Sequence, residues 1–370
     1  MIAMTIFKPN RRQLILSAAA LAFAGPLVTS CGRQSKIRFG ISPFQDTLIP
    51  MLGQSMGWYE EEGLDIEFKI LGWTEVQEAL SSTARDRVDI AINNETAVVA
   101  TNHRNKQLVY VYGFNTFDAG FALMGRPTGK IRPLESFLAP TTDRRDAIRQ
   151  AAAQLRSSTV ITTANTDMEQ GVAAAAERGG LDFSRDIKII NLNPDDGLAA
   201  FLSGQGDLFI GGLPQRFRAK KEGMIEIMTG IDLGPVPING LVSTRNFVEK
   251  NQDVILKILK VWFRSVQFID SNIEKGAKII IDILNNNSAA RFTVDDFKAM
   301  WNKLESFPPT PEAIRSDILE PSGRNYWKAR WDDCNNYFFK IKHAIPAPVD
   351  PSGVFLMPEI HENLVAFLKK

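Results

Sequence analysis

Cysteine and histidine are scarce in this chain: two of the first and three of the second in 370 residues. His103, His343 and His361 stand in no recognisable pairing with a nucleophile, and nothing has the spacing of a metal site. An excess of either charge is missing too, with 43 basic against 42 acidic residues and a formal net charge of +1. No lysine-rich run occurs, so nucleic acid is not expected as a partner. Long apolar runs are also absent: the stretch around Leu14–Ala24 falls short of the ~20 residues a membrane span needs. What remains is ordinary for a soluble globular protein, 44% hydrophobic and 23% charged. The length is too great for one small core and fits two domains.

The first 30 residues carry Lys8, Arg11 and Arg12 and no acid, then the apolar stretch, then Leu27-Val28-Thr29-Ser30-Cys31. This is the pattern of an export signal. Without it the body holds 40 basic and 42 acidic groups, near −2. The ending resembles the lipobox of bacterial lipoproteins, which implies that Cys31 is acylated and becomes the first residue of the mature chain. Arg11-Arg12-Gln13-Leu14-Ile15 is similar to a twin-arginine signal. The expected location is the periplasmic or cell-surface side of a bacterial envelope. Cys334 then has no partner for a disulfide and is expected to be a buried thiol.

Two stretches copy one pattern. Strand-like Lys36–Ile41 leads to a helical stretch, then Gly63-Leu64-Asp65-Ile66, then Val88-Asp89-Ile90-Ala91-Ile92. Ser158–Thr162 leads likewise to Gly180-Leu181-Asp182, Ile187–Ile190 and Gly206-Asp207-Leu208-Phe209-Ile210. Gly63 and Asp89 are 26 apart, and Gly180 and Asp207 are 27 apart. A repeated βαβαβ unit of this size predicts two similar α/β lobes with a ligand cleft between them. The expected division is a signal over 1–30, the first part of lobe one over 31–124 and lobe two over 125–231. Residues 232–370 return to lobe one and add C-terminal helices. Residues 126–156 fit neither copy; they read as a surface loop and an amphipathic helix. Val254, Ile258, Leu259, Trp262, Phe263, Val266 and Ile269 mark a core face at helical spacing, as do Phe297, Trp301 and Leu304.

The run Gly57-Trp58-Tyr59-Glu60-Glu61-Glu62-Gly63-Leu64 resembles a signature of substrate-binding proteins of the nitrate/sulfonate/taurine type, which serve ABC importers. Asp195–Asp207 and Pro237-Ile238-Asn239-Gly240-Leu241 are similar to that family as well, and the likeness covers about residues 36–270. It implies a type II, Venus-flytrap periplasmic-binding-protein fold, here with a helical C-terminal extension. It also implies a monomer that hands a small organic molecule to an ABC permease, with no cofactor and no catalysis. The family is related to thiamine-pyrimidine-precursor proteins, some of which bind and some of which synthesise. The synthases need a cofactor lysine, a reactive histidine and a cysteine-rich stretch, which this chain does not offer. An envelope sensor is the other alternative. The segment 126–156 and the tail after Asn285 depart from the family pattern.

Ligand groups in α/β lobes sit beyond the carboxyl ends of strands. From lobe one, that points to Ser42, Phe44, Gln45, Asp46, Trp73, Asn94, Glu95 and Thr96. From lobe two it points to Thr162, Thr163, Asn165, Thr166, Asp167, Gly211, Gly212 and Gln215. Asn115 and Asn239 lie near the crossings. These loops carry acids rather than bases, and an unpaired carboxylate facing an anion is costly. The expected ligand is therefore neutral, cationic or zwitterionic, clasped by Phe44, Phe114 and Phe117, with Glu95 taking an amino group.

Overall fold

The computed structural model describes residues 36–82, 87–139, 143–234 and 236–369. The export signal over 1–30 and the lipidation residue Cys31 lie outside the described residues. Ten strands follow in chain order: β1 Ile37–Ile41, β2 Ile66–Ile70, β3 Ile90–Asn94, β4 Leu108–Thr116, β5 Ala122–Gly125, β6 Thr159–Thr162, β7 Lys188–Asn191, β8 Leu208–Phe209, β9 Ile225–Thr229 and β10 Ile238–Thr244. They build two five-stranded sheets with the same permutation, β2-β1-β3-β10-β4 and β7-β6-β8-β5-β9. In each, the three strands of the repeat are parallel. The fourth runs antiparallel to both neighbours: β10 to β3 and β4, β5 to β8 and β9. The architecture is the α/β periplasmic-binding-protein fold.

The repeated residues do the same physical work in both copies. Gly63 and Gly180 follow helical turns with φ of 71° and 66°, the left-handed region that glycine enters without a β-carbon penalty. Each turns the chain into the next strand. Asp89 and Asp207 each accept a backbone N–H from the first strand of their lobe, that of Arg38 at 3.0 Å and that of Thr159 at 2.7 Å. Each carboxylate thereby ties the start of the third strand to the first.

The chain crosses between sheets twice, through Phe117–Phe121 and through 230–237. Ala122–Gly125 already belongs to the second sheet, so the sheet boundary falls a few residues before position 125. Within 126–156 there is a short 3₁₀ turn, Leu134–Phe137, and a helix, Arg144–Ala153. That helix buries Ala147, Ile148, Ala151 and Ala152 and passes close to Gly179, where a β-carbon would meet the backbone of Ala152 at 2.7 Å.

The C-terminal helices cover the first sheet. Helix Gln252–Ser271 buries Ile258, Leu259, Trp262, Phe263, Val266 and Ile269, with Val254 half-buried at the edge of the stripe. Phe114 stacks on Trp262 with ring centroids 3.7 Å apart. Strand alternation thus turns it into the core, not toward a ligand as expected from the sequence. Helix Val294–Met300 ends before Trp301, which stacks on Phe297 and Phe307 instead of extending the helix. No described helix is long and apolar enough to cross a membrane.

Candidate functional site

Residues just beyond β1, β2, β6 and β8 meet beside the two crossings. A narrow space of about 20 Å³, room for about one water in this closed arrangement, lies there, lined by Phe44, Asp46 and Trp73 from the first lobe and by Asp167, Met168 and Gly212 from the second; Phe117, Phe121 and Asn239 come from the crossings. A neighbouring space of about 10 Å³ shares Phe117, Phe121 and Asp167 and continues along the second crossing. Two aromatic pairs wall the site. Phe44 and Trp73 meet edge to face at 5.6 Å, and Phe117 and Phe121 lie 4.7 Å apart. The lobes touch at Gly212, where a β-carbon would stand 2.4 Å from the ring of Phe44.

The repeat explains the two acids. Asp46 and Asp167 each follow the first strand of their lobe by five residues, so the internal symmetry sets them on opposite walls. Their surroundings differ. Asp46 Oδ2 accepts from Asn239 Nδ2 at 2.5 Å and from Asn115 Nδ2 at 3.3 Å. Burial raises its pKa and these amides draw it back. Asp167 opens helix Asp167–Arg178, and its Oδ1 has no hydrogen-bond partner. Burial pushes its pKa up to about 6, against the pull of Arg330 and the smaller effects of Asn94 and Trp73.

The remaining predicted residues fall into three groups. Asn94, Glu95 and Thr96 follow β3. Asn94 caps the next helix by accepting from Ala97 N at 3.3 Å. Glu95 is wholly engaged: Oε1 takes a charged hydrogen bond from Arg330, and Oε2 accepts the Ile238 N–H at 3.1 Å. It is therefore not open to a ligand amino group in this conformation. Arg330 also donates to Thr96 Oγ1 at 3.2 Å and to Gln170 Oε1 at 3.1 Å, so one guanidinium joins both lobes.

Gln45 donates to Glu305 Oε1, while Ser42 Oγ, Gln45 Oε1, Asn115 Oδ1 and Asn239 Oδ1 are buried without partners. The second-lobe residues satisfy nearby groups. Thr163 Oγ1 donates to Leu192 O at 2.9 Å, and Thr166 caps Met168 N at 3.2 Å. Gln215 donates to Asp195 at 2.7 Å, and Asn165, at φ 62°, lines an outer groove with Thr74 and Arg104.

Two groups of the site escaped sequence reading. Glu305 is buried, with a pKa raised well above the usual carboxylate value by desolvation and by nearby Asp46. Arg330 comes from helix Trp327–Asn335. Both lie more than two hundred positions from their partners, and no local pattern marks them. Cys334 is a buried free thiol beside Thr96, with its pKa pushed up to about 12 by desolvation.

A sequence model of the NMT1-like family matches residues 32–284. A Bacillus subtilis (strain 168) protein described as a binding protein, YtlA, is 23% identical over 267 residues, 70% of this chain and 73% of its own length. Among solved structures, the periplasmic aliphatic sulphonate binding protein SsuA of Escherichia coli superposes with a TM-score of 0.64 at 15% identity, covering 86% of this chain and 91% of its own. The periplasmic nitrate-binding protein NrtA of Synechocystis PCC 6803 gives a TM-score of 0.58 at 15% identity, covering 90% and 98%.

Proposed function

The chain belongs to the NMT1-like family, and from that membership we propose that it is a lipid-anchored solute-binding protein outside the cytoplasm, handing a small organic molecule to an ABC permease. The relatives it matches are described as binding proteins, which supports a binding role. The observation that carries the reading is that two cleft-lining residues, Asp167 and Asn239, hold buried oxygens without partners, Oδ1 in each, and that Asn115 Oδ1 and Glu305 Oε2 are unpartnered on residues bonded to Asp46 and Gln45. Leaving a buried polar atom unsatisfied costs about 1–3 kcal/mol each, so two of them lining one cleft fit a bound solute that completes them. The neutral state of the buried Cys334 thiol weighs against a nucleophilic enzyme.

Native mass spectrometry of protein purified without refolding tests the binding role. A small molecule that leaves on unfolding supports it; chemical conversion of that molecule by the protein counts against it. Anchoring is tested separately. Cys31→Ser should move the protein from the membrane to the soluble fraction, whereas continued membrane retention with the leader intact removes lipidation from the account. Co-purification with a permease and its ATPase distinguishes import from sensing.

A further inference from the structure

Resting on the solute-binding reading, we propose that the cleft takes an organic cation: a positively charged nitrogen on a compact apolar body, paired with Asp167 and enclosed by Phe44, Trp73, Phe117 and Phe121. The walls carry the argument. Asp46 and Asp167 line the space, and no lysine or arginine does. Neither buried guanidinium lines it: Arg330 bonds Glu95, Thr96 and Gln170, with its Nη1 unpartnered and its charge acting on Asp167, and Arg216 bonds Glu226 and the carbonyls of Ala119 and Gly120. An anion placed here would meet carboxylates at both lobes with no cationic side chain among the lining residues, whereas a cation would meet acids on both walls.

The second observation is independent of the acids. Two aromatic pairs, from different stretches of chain, present rings to the same small space. Ring faces attract cations and exclude water, which suits an alkylated or aryl ammonium better than a strongly hydrated metal ion. The third is Asp167 itself. It is 5% exposed and lines the space, and its Oδ1 is without a partner. Asp46, by contrast, is already held by Asn115 and Asn239. Asp167 is therefore the group that pairs with the incoming charge, and Asp46 supports it from across the cleft.

The test is calorimetric titration of the full-length protein with two probe series: methylammonium, tetramethylammonium and benzylammonium against methanesulfonate, benzenesulfonate and nitrate. At least one cation is expected to bind while the anions do not. In Asp167→Asn that affinity should fall about ten- to a hundredfold. The variant should fold, since the amide keeps the shape and removes a buried charge; its melting temperature checks this. Binding of an anion probe with no cation bound would overturn the proposal but leave the solute-binding reading standing. So would cation binding unchanged in Asp167→Asn. No binding in either series, with no small molecule released on unfolding, would overturn both.

Discussion

Asp46 and Asp167 occupy the same point of the repeat in two lobes, yet Asp46 is held by two amides while Asp167 keeps one oxygen without a partner. The first lobe surrounds its acid with the amides of Asn115 and Asn239, delivered by β4 and β10. The second leaves Asp167 Oδ1 bare at the mouth of a helix. The same asymmetry runs through the rest of the cleft. The first lobe supplies Asp46 and the rings of Phe44 and Trp73. The second offers Asp167, Met168 and the bare backbone of Gly212. The symmetry of the fold thus places an acid on each wall, and its asymmetry leaves only one of them with an unpartnered oxygen.

The C-terminal extension keeps the two lobes from being a simple two-body hinge. Arg330 joins Glu95 and Thr96 of the first lobe to Gln170 of the second, while Tyr337 and Lys342 hold Glu169 on the same second-lobe helix. The largest expected effect lies here. Arg330→Met leaves Glu95 buried without its countercharge, which should cost about 3–5 kcal/mol in urea unfolding. Adding Glu95→Gln should recover most of the loss. If the double variant is as unstable as the single one, the pair is not what couples extension and lobes.

Gly212→Val attacks closure directly. Its side chain would overlap the ring of Phe44, so solute affinity should fall by about 1–3 kcal/mol while unfolding changes less. Equal losses in both measurements would show that Gly212 packs a core rather than a moving contact.

The two acids can also be separated by pH. The folded pKa of Asp167 lies near 6, above its ordinary value of 3.8, so protonation favours the folded, solute-free state. Solute-free protein should gain stability from this group as pH falls from 7 through 6 toward 4, and lose that gain as pH rises again. Binding of a cation runs the other way and should weaken below about pH 6, by at most about tenfold per unit. The groups around Asp167 are Arg330 with Glu95, Asp46 across the cleft, and Glu169 on its own helix. Burial also raises Asp46, in the same sense. Calorimetry of the wild type and Asp167→Asn across this range gives the contribution of Asp167 alone. A flat wild-type profile removes its charge from the account.

The smallest effect sharpens the comparison from the other side. Thr166→Ala removes a helix N-cap and should cost about 1 kcal/mol of stability with affinity nearly unchanged. A large loss of affinity would move Thr166 from scaffold to ligand wall.

The repeat was legible because its residues act locally. Gly63 and Gly180 end turns, and Asp89 and Asp207 tie neighbouring strands, so each leaves its mark within one βαβ unit. The partner of Glu95 was not: Arg330 lies 235 positions away, in an extension with no counterpart in the repeat. Position alone made Glu95 look open to a ligand, and only tertiary packing shows both its oxygens taken. Phe114 looked available because it ends an apolar run, but β4 is covered by the helix carrying Trp262 and turns that ring inward.

The central claim is that the two lobes close on a solute paired with Asp167 of the second. Small-angle scattering tests it most directly, on protein stripped of its co-purified molecule and then resupplied with it. A smaller radius of gyration on resupply, absent in Gly212→Val, is the expected result. An unchanged radius at saturating solute would contradict closure and leave a rigid cleft in its place.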